Sequence, residues 1–135
     1  MKLPTDFQIL NDIYSHYYDT FVTFSKDSPQ RSAKIYVPID IIDIAKRFGV
    51  DPDIIFGRLY YYLEEKFSYV RPGGTKVPFF TLAAGPDKHC VNFPLLASVL
   101  AGMRQEWRRD LWAIGIALAS IVISIVSIVI SLIHL

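Results

Sequence analysis

Residues Ile39 to Phe67 read IDIIDIAKRFGVDPDIIFGRLYYYLEEKF, and their punctuation predicts two helices meeting at a tight turn. Asp40 stands where a carboxylate accepts a first-turn N–H, and Ile41, Ile44, Ala45 and Phe48 follow on one helical face. Gly49 supplies the left-handed residue that stops the helix. Asp51 caps the second helix, with Pro52 in its first turn, where a missing N–H costs nothing. Small Ala45 lets the helices approach closely while Ile55 plugs the angle between them. On the second helix Phe56, Leu59, Tyr60, Leu63 and Phe67 form the expected buried side. Ile54, Gly57, Arg58, Tyr61, Glu64 and Glu65 then face outward, with Asp53 at the entrance.

Upstream, Thr5 and Gln8 form a capping box, and Phe7, Leu10, Tyr14, Tyr17, Phe21 and Phe24 recur at helical spacing, predicting a helix from Asp6 to Phe24. Ile9, Ile13, Tyr18 and Val22 widen that stripe beyond one packed face, so this helix is expected to touch more than its own domain. SKDSPQRSAK is a polar loop, and IYVPI, Ile35 to Ile39, is a short strand whose Pro38 marks an edge or a strand end. Downstream, FSYVR, the tip PGGT and KVPFFTL predict a hairpin, after which AGPDK turns the chain into a further strand, HCVNF.

The order is helix, strand, helix, turn, helix, hairpin: an α+β domain over residues 1–93. In this order, and in IAKRFGV followed by IIFGRLYYYLEEKF with PGGT as a wing tip, the chain resembles the winged-helix superfamily, including many small bacterial regulators. Winged helices serve as DNA readers and as protein docking modules, so the resemblance speaks to fold more than to function. A DNA reader places the second helix of the motif in the major groove among phosphates. Here the outward face sets Arg58 against Asp53, Glu64 and Glu65, a poor match to that charge. Arg71 and Lys76 flank the wing tip, and Lys46 and Arg47 end the preceding helix, so a phosphate clamp of these four is the alternative: a membrane-tethered transcription regulator. Ile54 and Tyr61 suit a protein interface better than a groove in DNA. The residues assigned to partner contact are therefore Ile54, Arg58, Tyr61, Arg71 and Lys76.

Pro94 to Asp110 continues as a juxtamembrane helix, PLLASVLAGMRQEWRRD, and residues 111–133 read LWAIGIALASIVISIVSIVISLI without a charged residue. Twenty-three residues of helix span about 35 Å, enough for a hydrocarbon core of about 30 Å, and the hundred preceding residues are too few to bury such a surface. Arg104, Arg108 and Arg109 precede the span and only His134 and Leu135 follow it, which predicts a cytoplasmic N-terminal domain and a C-terminus on the far side. Trp107 and Trp112 bracket the interface. MKLPTDFQ reaches Asp6 before any apolar run, so no signal peptide is expected. With the resemblance to bacterial regulators, the expected location is a bacterial inner membrane. Ala113, Ala117, Ser120, Ser124, Ser127 and Ser131 fall at spacings of 4, 3, 4, 3 and 4 and line one seam, which permits helix–helix contact and predicts a homo-oligomer. Each hydroxyl can also bond its own helix.

The 52% hydrophobic content is inflated by this tail, and residues 1–100 carry eleven Lys plus Arg against eleven Asp plus Glu. A neutral domain has no general pull toward nucleic acid. One cysteine, Cys90, excludes an intrachain disulfide. Asp12, His16 and Asp19 share a side of the first helix at a spacing that could hold a metal, but polar residues there more often face water. His89 and Cys90 are strand neighbours on opposite faces, Cys90 has no base beside it, and Gly73–Gly74 is not followed by GK[ST]. No enzyme, metal or cofactor is expected. The partners are the bilayer, further copies of the chain and an unidentified cytosolic protein, in a component of bacterial defence or toxin type.

Overall fold

A computed structural model describes residues 2–135, an α+β chain that divides into two compact units, 1–100 and 101–135. The first unit opens with α1 (Asp6–Val22), whose Thr5 cap and Gln8 make the expected reciprocal pair of bonds at 3.2 and 2.9 Å. The helix ends at Val22, two residues before Phe24, because the Thr23 side chain and N–H both bond the Asp19 carbonyl and close the last turn. Its buried residues are Leu10 of the main stripe and Ile9 and Ile13 of the widening set, while Phe7 of the stripe and Tyr18 and Val22 of the widening set remain exposed.

The polar loop after α1 is tied down by Arg31, which is buried and donates to the Thr20 carbonyl at 3.1 Å and the Lys34 carbonyl at 2.8 Å while lying over the Phe24 ring. Strand β1 (Tyr36–Pro38) leads to α2 (Ile41–Phe48), capped by Asp40 and stopped by Gly49 at φ 65°. Asp51 caps α3 (Pro52–Gly57), and Ile55 is fully buried in the angle between α2 and α3.

The second helix does not stay α-helical. After α3 it makes a π turn (Arg58–Leu63) before α4 (Glu64–Phe67), so the Glu64 N–H reaches the Leu59 carbonyl, five residues back. One extra residue per turn rotates everything downstream, and Glu64, expected on the outward face, turns inward. It is 9% exposed, accepts the Phe79 and Phe80 N–H groups at 2.8 and 2.6 Å, and meets Lys76 Nζ at 3.2 Å. The carboxylate satisfies two backbone donors where the chain enters the sheet.

The expected hairpin is also divided. Strands β2 (Tyr69–Val70) and β3 (Lys76–Val77) form a separate two-stranded ribbon around PGGT. KVPFFTL breaks at Pro78, and β4 (Phe80–Ala84) pairs instead with β5 (Asp87–Asn92) across the Gly85 turn. Strand β1 pairs with β5, giving an antiparallel sheet in the order β1-β5-β4. Ile44 of α2, Leu59 and Leu63 of the second helix, and Phe79, Phe80 and Val91 of the sheet region are buried. Each such side chain contributes about 1.5–3 kcal/mol by leaving water.

Helix α5 runs Phe93–Ile133, with Phe93, Leu96 and Leu100 buried. It is the one described helix long and apolar enough to cross a membrane, and the rest of the chain buries none of its most apolar stretch.

Candidate interaction surface

Residues Ile54 and Tyr61 stand on the outward side of the second helix, 43% and 73% exposed, as the spacing predicts. Tyr61 is braced edge-on by Tyr60 at 5.0 Å and by Phe56 at 6.4 Å, so its ring is presented rather than loose. The basic residues assigned to the same surface are placed differently. Arg58 donates to Asp6 Oδ1 at 2.6 Å and lies near the Tyr62 ring, tying the second helix to the start of α1. Lys76 points back to Glu64. Arg71 is exposed at the base of the ribbon tip, where its N–H bonds the Thr75 carbonyl at 2.9 Å and its carbonyl accepts from Gly74 at 2.8 Å. Of the other two candidate phosphate contacts, Lys46 is exposed and Arg47 is engaged with Asp12 and Asp43, which raises its pKa, chiefly through the Asp12 hydrogen bond.

That same pair occupies the first member of the Asp12, His16, Asp19 set, with Arg47 Nη2 2.7 Å from Asp12 Oδ2. His16 Nδ1 lies 2.9 Å from the Asp12 carbonyl. Among the described residues no three His, Cys, Asp or Glu side chains converge as metal ligands. Cys90 is fully buried; burial, then Asp87, push its thiol up, while the Ala84 backbone and Arg31 oppose them. The thiolate is thereby disfavoured.

A groove absent from the sequence reading adjoins Ile54. About 690 Å³ in volume, it is lined by Pro38, Ile39, Asp40, Ile41 and Ile42 between β1 and α2, by Pro52, Asp53 and Phe56 of α3, and by Tyr17 and His89. The Tyr17 hydroxyl accepts the Asp40 N–H at 2.8 Å, which fixes one corner. Phe56 is the hub of an aromatic cluster, 5.4 Å from Tyr60, 6.2 Å from Phe80 and 5.8 Å from His89. His89 has φ 53°, a left-handed conformation that costs a side-chain-bearing residue about 1–2 kcal/mol. Its carbonyl accepts the Ile39 N–H at 3.0 Å, so the strained residue stitches β5 to the segment leading into α2. Sequence spacing offers one clue to this groove: Ile42, an exposed isoleucine beside the apolar face of α2. His89 and Tyr17 come to it through long-range pairing that no local pattern announces.

In the second unit the hydroxyls of Ser120, Ser124 and Ser127 donate to the carbonyls of Ile116, Ser120 and Ile123 at 3.0, 2.9 and 2.9 Å. Three of the four seam serines are thus bonded within their own helix, and with Ala113, Ala117 and Ser131 they give the seam small side chains. No protein family, curated protein or solved structure matches this chain.

Proposed function

We propose that the chain is a single-pass membrane protein, held by residues 111–133, which presents a winged-helix-like domain on the cytoplasmic side to a protein partner or to further copies of itself. The observation that carries the reading is the run of isoleucine, leucine and valine on α5 that nothing else in the chain covers. In water such a surface is untenable for a monomer; in lipid it is the required one. The antiparallel order β1-β5-β4 beside the α2–α3 corner supports the winged-helix-like reading of the domain.

Protein contact is favoured over DNA because Arg47, Arg58 and Lys76 each have an acidic partner within the chain, whereas Ile54 and Tyr61 are exposed. Breaking three ion pairs to reach phosphate would cost part of what the phosphates return. The span confines copies to two dimensions and raises their effective concentration, and the small-residue seam allows backbones to approach.

Three measurements on the full chain test the reading. The protein should sediment with membranes after an alkaline carbonate wash; recovery in the supernatant removes the anchor. A photo-crosslinker placed at Tyr61 should give a discrete protein adduct, and salt-dependent titration with duplex DNA should show only weak, sequence-independent binding. Tight, selective DNA binding lost on Arg71→Glu would establish the regulator instead. Replacing Ser124 and Ser127 by leucine should reduce oligomer size in detergent; unchanged size removes the seam.

A further inference from the structure

We propose that the groove beneath Ile42 and Phe56 receives an arginine-bearing segment of a partner protein. This rests on the reading of the surface as a protein interface and specifies the chemistry of what docks there. Four acids of the domain have a cationic partner: Asp6 meets Arg58, Asp12 and Asp43 share Arg47, and Glu64 meets Lys76. The two carboxylates lining the groove have none. Asp40 accepts only the Asp43 N–H of its own helix, and the Asp53 carboxylate has no hydrogen-bond or ion-pair partner among the described residues. No lysine or arginine lines the cavity, so two negative charges flank a largely apolar floor without a counter-ion.

The occupant must offer positive charge and still tolerate the apolar wall. A guanidinium does both, because its planar fork donates to carboxylates while its face stacks on an aromatic ring. Phe56 supplies that ring, and its contacts with Phe80 and His89 hold it in place before anything binds. An ammonium would satisfy the carboxylates but is more strongly hydrated and gains less from the wall. A neutral apolar occupant would bury Asp40 and Asp53 unpaired, which is costly. Because Phe56 touches Tyr61 and Asp53 precedes Ile54, a chain seated in the groove can continue onto the exposed strip. A segment of this kind resembles a hot-spot arginine surrounded by apolar contacts.

The test uses the full chain in nanodiscs of zwitterionic lipid, which does not itself attract a cation. The probe is a fluorescent pentapeptide, Gly-Leu-Arg-Leu-Gly, against the same peptide with citrulline, which keeps the shape and removes the charge. The arginine peptide should bind at least about ten-fold more tightly than the citrulline peptide. Asp53→Asn should erase most of that preference, and Asp40→Asn, which keeps the helix cap, should reduce it. Equal binding of the two peptides, a preference unaltered by Asp53→Asn, or displacement by n-butylguanidinium at the peptide's own concentration would overturn the proposal, the last by making the occupant a small cation. If the arginine preference is absent while the Tyr61 crosslink persists, the groove's occupant alone is lost. If the crosslink is absent as well, the interface reading fails beneath it.

Discussion

Isoleucine is used in opposite ways by the two units of this chain. In residues 1–100, Ile55 and Ile44 are fully buried, whereas in residues 101–135 Ile116 and Ile123 are 64% and 66% exposed. The first unit assembles its own apolar interior from α1, the α2–α3 corner and the β1-β5-β4 sheet; the second is a length of helix whose backbone groups bond along its axis and whose apolar side chains are turned out. Identical residues therefore ask for different surroundings: the first unit covers its isoleucines with its own core, whereas the second leaves them for an apolar surrounding, which lipid supplies on the reading proposed above.

The sharpest way to break this comparison is to make the same truncation in both places. Ile55→Ala should lower the domain's unfolding free energy by about 2–5 kcal/mol, read as a shift in denaturant midpoint, because it empties the corner between α2 and α3. Ile123→Ala should leave that midpoint unchanged; an equal shift would mean that the second unit is packed as core. Next in size, Ile123→Arg should disfavour bilayer insertion by about 2.5–3.5 kcal/mol, and flotation of the variant measures it. If the variant floats like the parent chain, the helix does not reside in hydrocarbon.

Within the first unit, Glu64→Ala strands the Phe79 and Phe80 N–H groups and should cost about 2–3 kcal/mol, measured by thermal unfolding, with Glu64→Gln recovering part of it. A loss below about 0.5 kcal/mol would make the inward turn of Glu64 incidental. Smallest of all, Tyr61→Ala should change stability by no more than about 0.5 kcal/mol, since the ring is 73% exposed, while abolishing partner contact. A large loss of stability would convert this ring from an interface residue into a structural one.

Local chemistry was readable where one residue decides the backbone. The Thr5 box, the Asp40 and Asp51 caps and the Gly49 stop all stand where the sequence places them, because each depends on neighbours within a few positions. The apolar tail was equally plain, since length and the absence of charge are properties of composition. The face of α1 was harder: its two overlapping stripes both have helical spacing, and only the position of the core selects Ile9 and Ile13 over Phe7. No residue in RLYYYL announces a π turn, so the inward rotation of Glu64 was illegible, as was the pairing of β1 with β5 and the separation of the PGGT ribbon. The groove follows the same rule. Its carboxylates were visible as caps and first-turn acids, but their company with Tyr17, Phe56 and His89 is made by contacts across the fold.

The triple engagement of Glu64 has a practical corollary. By gripping the backbone at Phe79 and Phe80 and the side chain of Lys76, one carboxylate anchors the root of the PGGT ribbon, so the excursion from Arg71 to Thr75 is mechanically insulated from the interior. Extra residues or a reporter tag grafted at Gly73 should be accommodated without loosening the domain, which makes that apex the natural handle for following the protein.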